Sequence, residues 1–314
     1  MTNVSIYKDI AARTGGDIYI GIVGPVRTGK STFIKQFMDK LVLPNISGDY
    51  QKERANDELP QSSSGRTIMT TEPKFIPEKG VQIKVDDSSA MNVRLIDCVG
   101  YIVPSALGYI EGDQPRMVMT PWFEEPIPFN MAAEIGTRKV INEHSTIGLV
   151  ITTDGSISDI PRSEYEEAEE RVIDELKAIN KPFIILLNCM YPESPEAQEL
   201  AQRLTEKYGI PVQPVNCLEL NEEDIKQILS RILFYFPIKE ICINFPRWIN
   251  SLPLDHWLRA ELTDTIKKSA ANVRHIRDIR CFETAFANSQ NADGAAVNGI
   301  DLGTGSADVM IKIN

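Results

Sequence analysis

A chain of 314 residues with 42% hydrophobic and 25% charged side chains has room for one large domain and part of a second. Its net charge of −11 argues against bulk attraction to nucleic acid or anionic lipid, so no nucleic-acid partner is expected. Five cysteines without a C-x-x-C pair indicate a reducing compartment. The lack of an apolar N-terminal signal core, or of any apolar run near ~18 residues, gives a cytosolic chain with no transmembrane segment.

In chain order, residues 17–24 (DIYIGIVG) read as a buried strand ending in glycine. From Pro25 to Leu41 a turn leads into Phe33, Ile34, Phe37, Met38 and Leu41 at helical spacing. Residues 44–72 have no clear period and read as a long loop. The alternating segments 81–85 and 91–97, separated by Asp86–Ala90, predict an antiparallel hairpin. Residues 100–130 form a Gly- and Pro-rich insert containing Trp122 and Phe123, either an assembly contact or packing over the main domain. A helix over 131–143 precedes strands at 146–153, 182–189 and 211–217, alternating with helices at 162–179, 195–208 and 221–235. This order predicts an α/β fold with a mainly parallel, doubly wound sheet and one antiparallel strand. The first domain spans 1–237. At 238–314 a second α+β domain begins: a strand at 238–245, one long helix over 255–287 with a basic centre, a Gly/Ala-rich stretch, and a terminal strand expected to lack a partner. The acidic helix at 162–179 (Glu164, Glu166, Glu167, Glu169, Glu170) reads as a solvated face, with a neighbouring subunit's basic 267–280 stretch as an alternative contact. The three histidines are too scattered for a metal site.

Gly24-Pro-Val-Arg-Thr-Gly-Lys-Ser31 fits G-x-x-x-x-G-K-[ST] and lies between a strand and a helix, where the motif requires it. Its backbone from Gly24 through Arg27, Thr28, Gly29 and Thr32 is expected to wrap phosphates at a helix N-terminus. Lys30 reaches the β- and γ-phosphates, and Ser31 ligates Mg2+. Asp97-Cys-Val-Gly100 ends the 91–97 strand; Asp97 is the Mg2+-side carboxylate and Gly100 brings an N–H to the γ-phosphate. Cys98 follows Asp97 where many P-loop ATPases carry a catalytic Glu. With the hairpin, this makes the core similar to Ras-like, translation-factor-related GTPases. That resemblance implies a Mg2+-ligating Thr in the preceding loop, and Thr70 and Thr71 are equal candidates. Tyr101 stands where such enzymes often carry a water-orienting Gln. Arg27, Arg66 and Arg116 are the candidates for stabilising transferred charge, against a reading of each as a surface arginine.

The strand at 182–188 delivers Asn188-Cys-Met-Tyr191 in place of Asn-Lys-x-Asp. Asn188 can bond purine N7, but Tyr191 is no carboxylate for the guanine N1–H and N2–H2, and residues 216–218 (Asn-Cys-Leu) lack the usual second base-side loop. The sequence therefore argues for ATP, or for weak base selectivity, with GTPase activity as the runner-up.

The ordered set GPVRTGKSTFIKQF, GRTIMTTEPKF, LIDCVGY, TPWFEEPIPF and EIGTRKVINEHSTIGLVITTDG resembles the stage IV sporulation protein A family of endospore-forming bacteria, over residues 1 to about 290. The resemblance implies Mg2+-dependent ATP hydrolysis that drives irreversible self-polymerisation into the basement layer of the spore coat. It places the protein in the mother cell at the outer forespore membrane, with other coat proteins and a small amphipathic membrane-bound peptide as partners. That peptide contact is associated with a C-terminal region beyond this sequence. By motif match it carries phosphate and Mg2+ to Lys30 and Ser31, γ-phosphate sensing to Thr70/Thr71, and the metal-side carboxylate to Asp97.

Overall fold

A computed structural model describes residues 9, 12–14, 17–46, 48–60, 73–84, 90–253, 255–287 and 291–313. By contact the chain divides into two units, Gly16–Leu229 and Ser230–Asn314 with Met1–Gly15.

The first unit is built on six strands: β1 (Asp17–Val23), β2 (Lys74–Lys84), β3 (Ala90–Asp97), β4 (Ile147–Thr153), β5 (Phe183–Asn188) and β6 (Val212–Val215). Their order across the sheet is β6-β5-β4-β1-β3-β2. Every pairing is parallel except β2 with β3. Parallel strands covered on both faces carry continuous apolar runs, and every residue of β4 and β5 is buried. The main helices are α1 (Lys30–Phe37), α2 (Asp49–Asp57), α3 (Phe129–Lys139), α4 (Glu166–Ala178), α5 (Pro195–Tyr208) and α6 (Glu222–Leu233). Ile18, Ile20 and Ile22 of β1, Phe33 and Phe37 of α1, and Val172 and Ile173 of α4 are all buried in the core. The fold class is the expected one, a mainly parallel doubly wound sheet with one antiparallel strand.

Two local expectations fail. Helix α2 lies in the stretch expected to be a loop; it buries only Ala55 and has no apolar stripe for periodicity to detect. The acidic helix is not simply a solvated face. Glu169 is fully buried, takes a forked pair of bonds from Arg162 at 2.6 and 2.8 Å, and accepts from Tyr208 Oη at 2.7 Å and from Thr152. Glu164 accepts from Ser105 Oγ and Ser105 N, both at 2.6 Å.

The second unit has a three-stranded sheet, β7 (Glu240–Asn244), β8 (Gly294–Asp301) and β9 (Ser306–Lys312), in the order β7-β9-β8. The expected unpartnered terminal strand is therefore central: β9 pairs in parallel with β7 and antiparallel with β8. Its second partner, GAAVNGID, alternates too weakly to read as a strand. The single long helix is also interrupted. It forms α7 (Trp257–Ala270), a one-turn 3-10 segment Ile276–Arg280, and α8 (Cys281–Ala287). Asp278 accepts from the Arg274 and His275 backbone N–H groups at 3.1 and 2.8 Å, which caps a new start and prevents continuation. Leu258, Leu262, Phe282, Phe286, Val309 and Ile311 form this unit's core.

Candidate nucleotide site

The loop from Gly24 to Ser31 leaves the carboxyl end of β1 and runs into the N-terminus of α1. The helix has no side-chain cap, so its first N–H groups are left to a ligand. Arg27 takes a left-handed φ of 63°, which sharpens the turn. Thr28 Oγ1 donates to Pro25 O at 3.0 Å. Lys30 folds back over the loop, where its Nζ donates to Pro25 O at 2.5 Å and Gly24 O at 3.4 Å. Burial lowers its pKa from the ordinary lysine value, against the pull of Cys98 and Asp97. A buried ammonium held by carbonyls alone is suited to receive an anion. Thr32, half-buried, follows on α1.

At the end of β3, Ser31 Oγ donates to Asp97 Oδ2 at 2.9 Å. Burial raises the Asp97 pKa, with Lys30 and the Ser31 hydrogen bond opposing it. A hydroxyl beside a buried carboxylate is a hard-oxygen pair of the kind Mg2+ accepts when phosphate and water supply its remaining ligands. No group of three or more His, Cys, Asp or Glu placed to hold a metal ion occurs among the described residues. Gly100 has φ 91°, and a Cβ there would stand 2.3 Å from Gly24 O and 2.7 Å from Lys30 Nζ. Only glycine leaves the backbone this close to the loop. Cys98 donates to Ile22 O at 3.0 Å, and burial pushes its thiol up to about 11, so it stays protonated at neutral pH.

The structure separates the remaining expectations. Tyr101 does not face the phosphate loop as a water-orienting group: its ring is buried, its Oη donates to Glu175 Oε2 at 2.6 Å, and Arg171 lies over its face at 4.7 Å. Its backbone supports the loop instead, since Val26 N donates to Tyr101 O at 2.9 Å. Arg116 is engaged inside the insert, donating to Gly108 O at 3.3 Å and lying 5.8 Å over Phe129. Trp122 packs on α3, with Lys139 Nζ 5.8 Å from its ring. Thr70, Thr71 and Arg66 lie outside the described residues. On the base side, Asn188 is buried and both ends of its amide are committed. Its Nδ2 donates to Thr28 O and its Oδ1 accepts from Cys217 N, each at 3.0 Å. This bracing role was not read from the sequence; the signal available was an Asn ending an apolar strand level with the phosphate loop. Gly29 fits beneath it, since a Cβ there would meet Asn188 Nδ2 at 2.2 Å.

A phosphate loop between β1 and α1, a strand-end D-x-x-G beside it and a six-stranded sheet with one antiparallel strand define a P-loop nucleotide-binding protein of Ras-like architecture. The family models for stage IV sporulation protein A match the whole chain, the ATPase domain over residues 1–237 and the middle domain over 238–314. The stage IV sporulation protein A sequences of Bacillus anthracis and Bacillus subtilis (strain 168) are each 52% identical over 309 residues, 98% of this chain and 63% of theirs. The chain belongs to the stage IV sporulation protein A family and spans 63% of the length of these relatives. Among solved structures it is similar to translation elongation factor SelB from Methanococcus maripaludis with the GTP analogue GppNHp. That likeness has a TM-score of 0.37 at 11% identity, over 69% of this chain and 33% of that one.

Proposed function

We propose that the chain binds ATP with Mg2+ and hydrolyses it to ADP and phosphate. The carrying observation is the buried Lys30 folded over the loop carbonyls beside the Ser31–Asp97 pair. Backbone N–H groups from Arg27 to Thr32 bind the phosphate oxygens, with Gly24 and Gly29 shaping the turn. Lys30 moves from Pro25 O to the β- and γ-phosphates, and Gly100 presents its N–H to the γ-phosphate. Ser31 and Asp97 hold Mg2+, with Thr70 or Thr71 as a further ligand and γ-phosphate sensor. When bound, the metal screens charge on the phosphate oxygens. Hydrolysis forms a P–O bond from water to the γ-phosphorus and breaks the bond to the bridging oxygen, with ADP leaving in line. Arg27 lies within the phosphate loop itself, and burial, opposed by Tyr165, lowers its pKa.

ATP rather than GTP is favoured because no carboxylate stands at Tyr191, and Asn188 serves as N7 reader with whatever donor capacity its clamp leaves. Comparing kcat/KM for the two nucleotides tests this; a large GTP preference removes the adenine assignment. A nucleotide-binding scaffold with negligible turnover is the second reading, favoured by the engagement of Tyr101 with Glu175. Phosphate release separates the two.

At the level of the cell, the family membership supports a role in which turnover drives self-assembly into the spore-coat basement layer. The protein would act in the mother cell at the outer forespore membrane, with coat proteins and a small amphipathic membrane-bound peptide as partners. No helix among the described residues is long and apolar enough to cross a membrane. In this reading residues 1–237 are the ATPase domain and 238–314 the start of the middle domain.

A further inference from the structure

The loops after β4, β5 and β6 are laced together by their own polar groups. Met190 N donates to Ser156 Oγ at 2.9 Å, and Ser156 Oγ donates to Asp154 at 2.6 Å. Asn216 bridges the other two loops: its Nδ2 donates to Met190 O at 3.4 Å and its Oδ1 accepts from Leu218 N at 3.0 Å. Gln36 of α1 donates to Leu218 O at 3.1 Å, and Asn188 ties the same edge to Thr28. The exposed large apolar side chains on these loops are Met190, Tyr191 and Leu218, 49, 70 and 71% exposed, and the charged Glu219 is exposed next to Leu218. Ile157 lies toward the phosphate loop, its Cδ1 3.8 Å from the Cβ position of Gly29. Single exposed apolar residues are ordinary. Three on loops laced to one another, and tied to the phosphate loop through Asn188 and to α1 through Gln36, are a more specific arrangement.

We propose that Met190, Tyr191 and Leu218 form an apolar platform that holds the purine ring of the bound nucleotide by its face. This rests on reading the phosphate loop as a nucleotide site. A flat ring stacks on such a surface whatever its edge carries. Face contact leaves either purine's edge to water, so the platform adds affinity without asking for the guanine groups N1–H, N2–H2 and O6. The base selectivity is therefore modest, and the base affinity belongs to these side chains rather than to the Asn188 amide.

The test is calorimetric titration of the full chain with Mg·ATP and, separately, with tripolyphosphate. The Met190→Ser/Leu218→Ser and Tyr191→Ser variants change exposed positions, and circular dichroism checks that they fold. The platform predicts ATP binding about tenfold weaker in the variants, with tripolyphosphate binding unchanged. Wild-type ATP affinity in folded variants overturns it, as does a change in sedimentation with no change in ATP affinity, which makes the patch a contact between copies. A wild-type chain that binds tripolyphosphate but gains nothing from the base refutes the platform alone. A wild-type chain that binds neither removes the phosphate-site reading as well.

Discussion

Asn188 shows how one side chain fixes two loops. Its amide satisfies Thr28 O and Cys217 N in a buried setting, so truncation leaves both without a partner. Asn188→Ala is expected to cost about 1–3 kcal/mol in chemical denaturation and to weaken Mg·ATP binding by loosening the phosphate loop. Unchanged stability together with unchanged affinity would remove the clamp. Tyr101 makes the opposite prediction. Its hydroxyl bonds Glu175 away from the loop, so Tyr101→Phe is expected to leave the rate of phosphate release within about twofold, on the view that surplus hydrogen bonds contribute only modestly. A loss of two orders of magnitude would put the hydroxyl into the chemistry. The sequence named the glycines, Lys30, Ser31 and Asp97 because these residue types at this spacing have one physical use. It gave Asn188 the role of N7 reader alone because both atoms its amide braces, Thr28 O and Cys217 N, are backbone atoms from distant segments.

Among the elements, α4 carries a buried charge where its composition suggested only a wet face. Glu169 is held by Arg162, Tyr208 and Thr152, three residues from three different segments, and such convergence has no signature along one helix. Removing one member of a buried pair strands the other, so Glu169→Ala is expected to destabilise the chain by about 3 kcal/mol, while Glu166→Ala on the exposed face leaves the denaturation midpoint where it was. Equal midpoints for the two variants would return α4 to a solvated face. Strands β4 and β5 were legible because full burial makes them continuous apolar runs, and the β2–β3 hairpin because its segments alternate. Helix α2 and strand β8 were not, since one has no apolar stripe and the other is Gly/Ala-rich. The break between α7 and α8 depends on a side-chain cap at Asp278, which periodicity does not record.

For the whole molecule, backbone bonds tie residues 234–238 into the second unit, where composition gives no sign of it. Ile276 N donates to Phe236 O and Arg277 N to Phe234 O, each at 3.1 Å, and Ile238 N donates to Arg274 O at 3.0 Å. Residues 234–238 thus belong structurally with 274–277. A fragment beginning at 230 is expected to melt higher than one beginning at 238, by several degrees, because the shorter fragment loses Phe234 and Phe236 with their acceptors. Identical melting would show those bonds to be idle.

ATP turnover at the Gly24–Ser31 loop is proposed to depend on Lys30. Phosphate release from Mg·ATP by the wild-type chain and by Lys30→Ala tests it most directly. Turnover is expected in the wild type, with its loss by at least two orders of magnitude in the variant. Equal rates in the two proteins would contradict it.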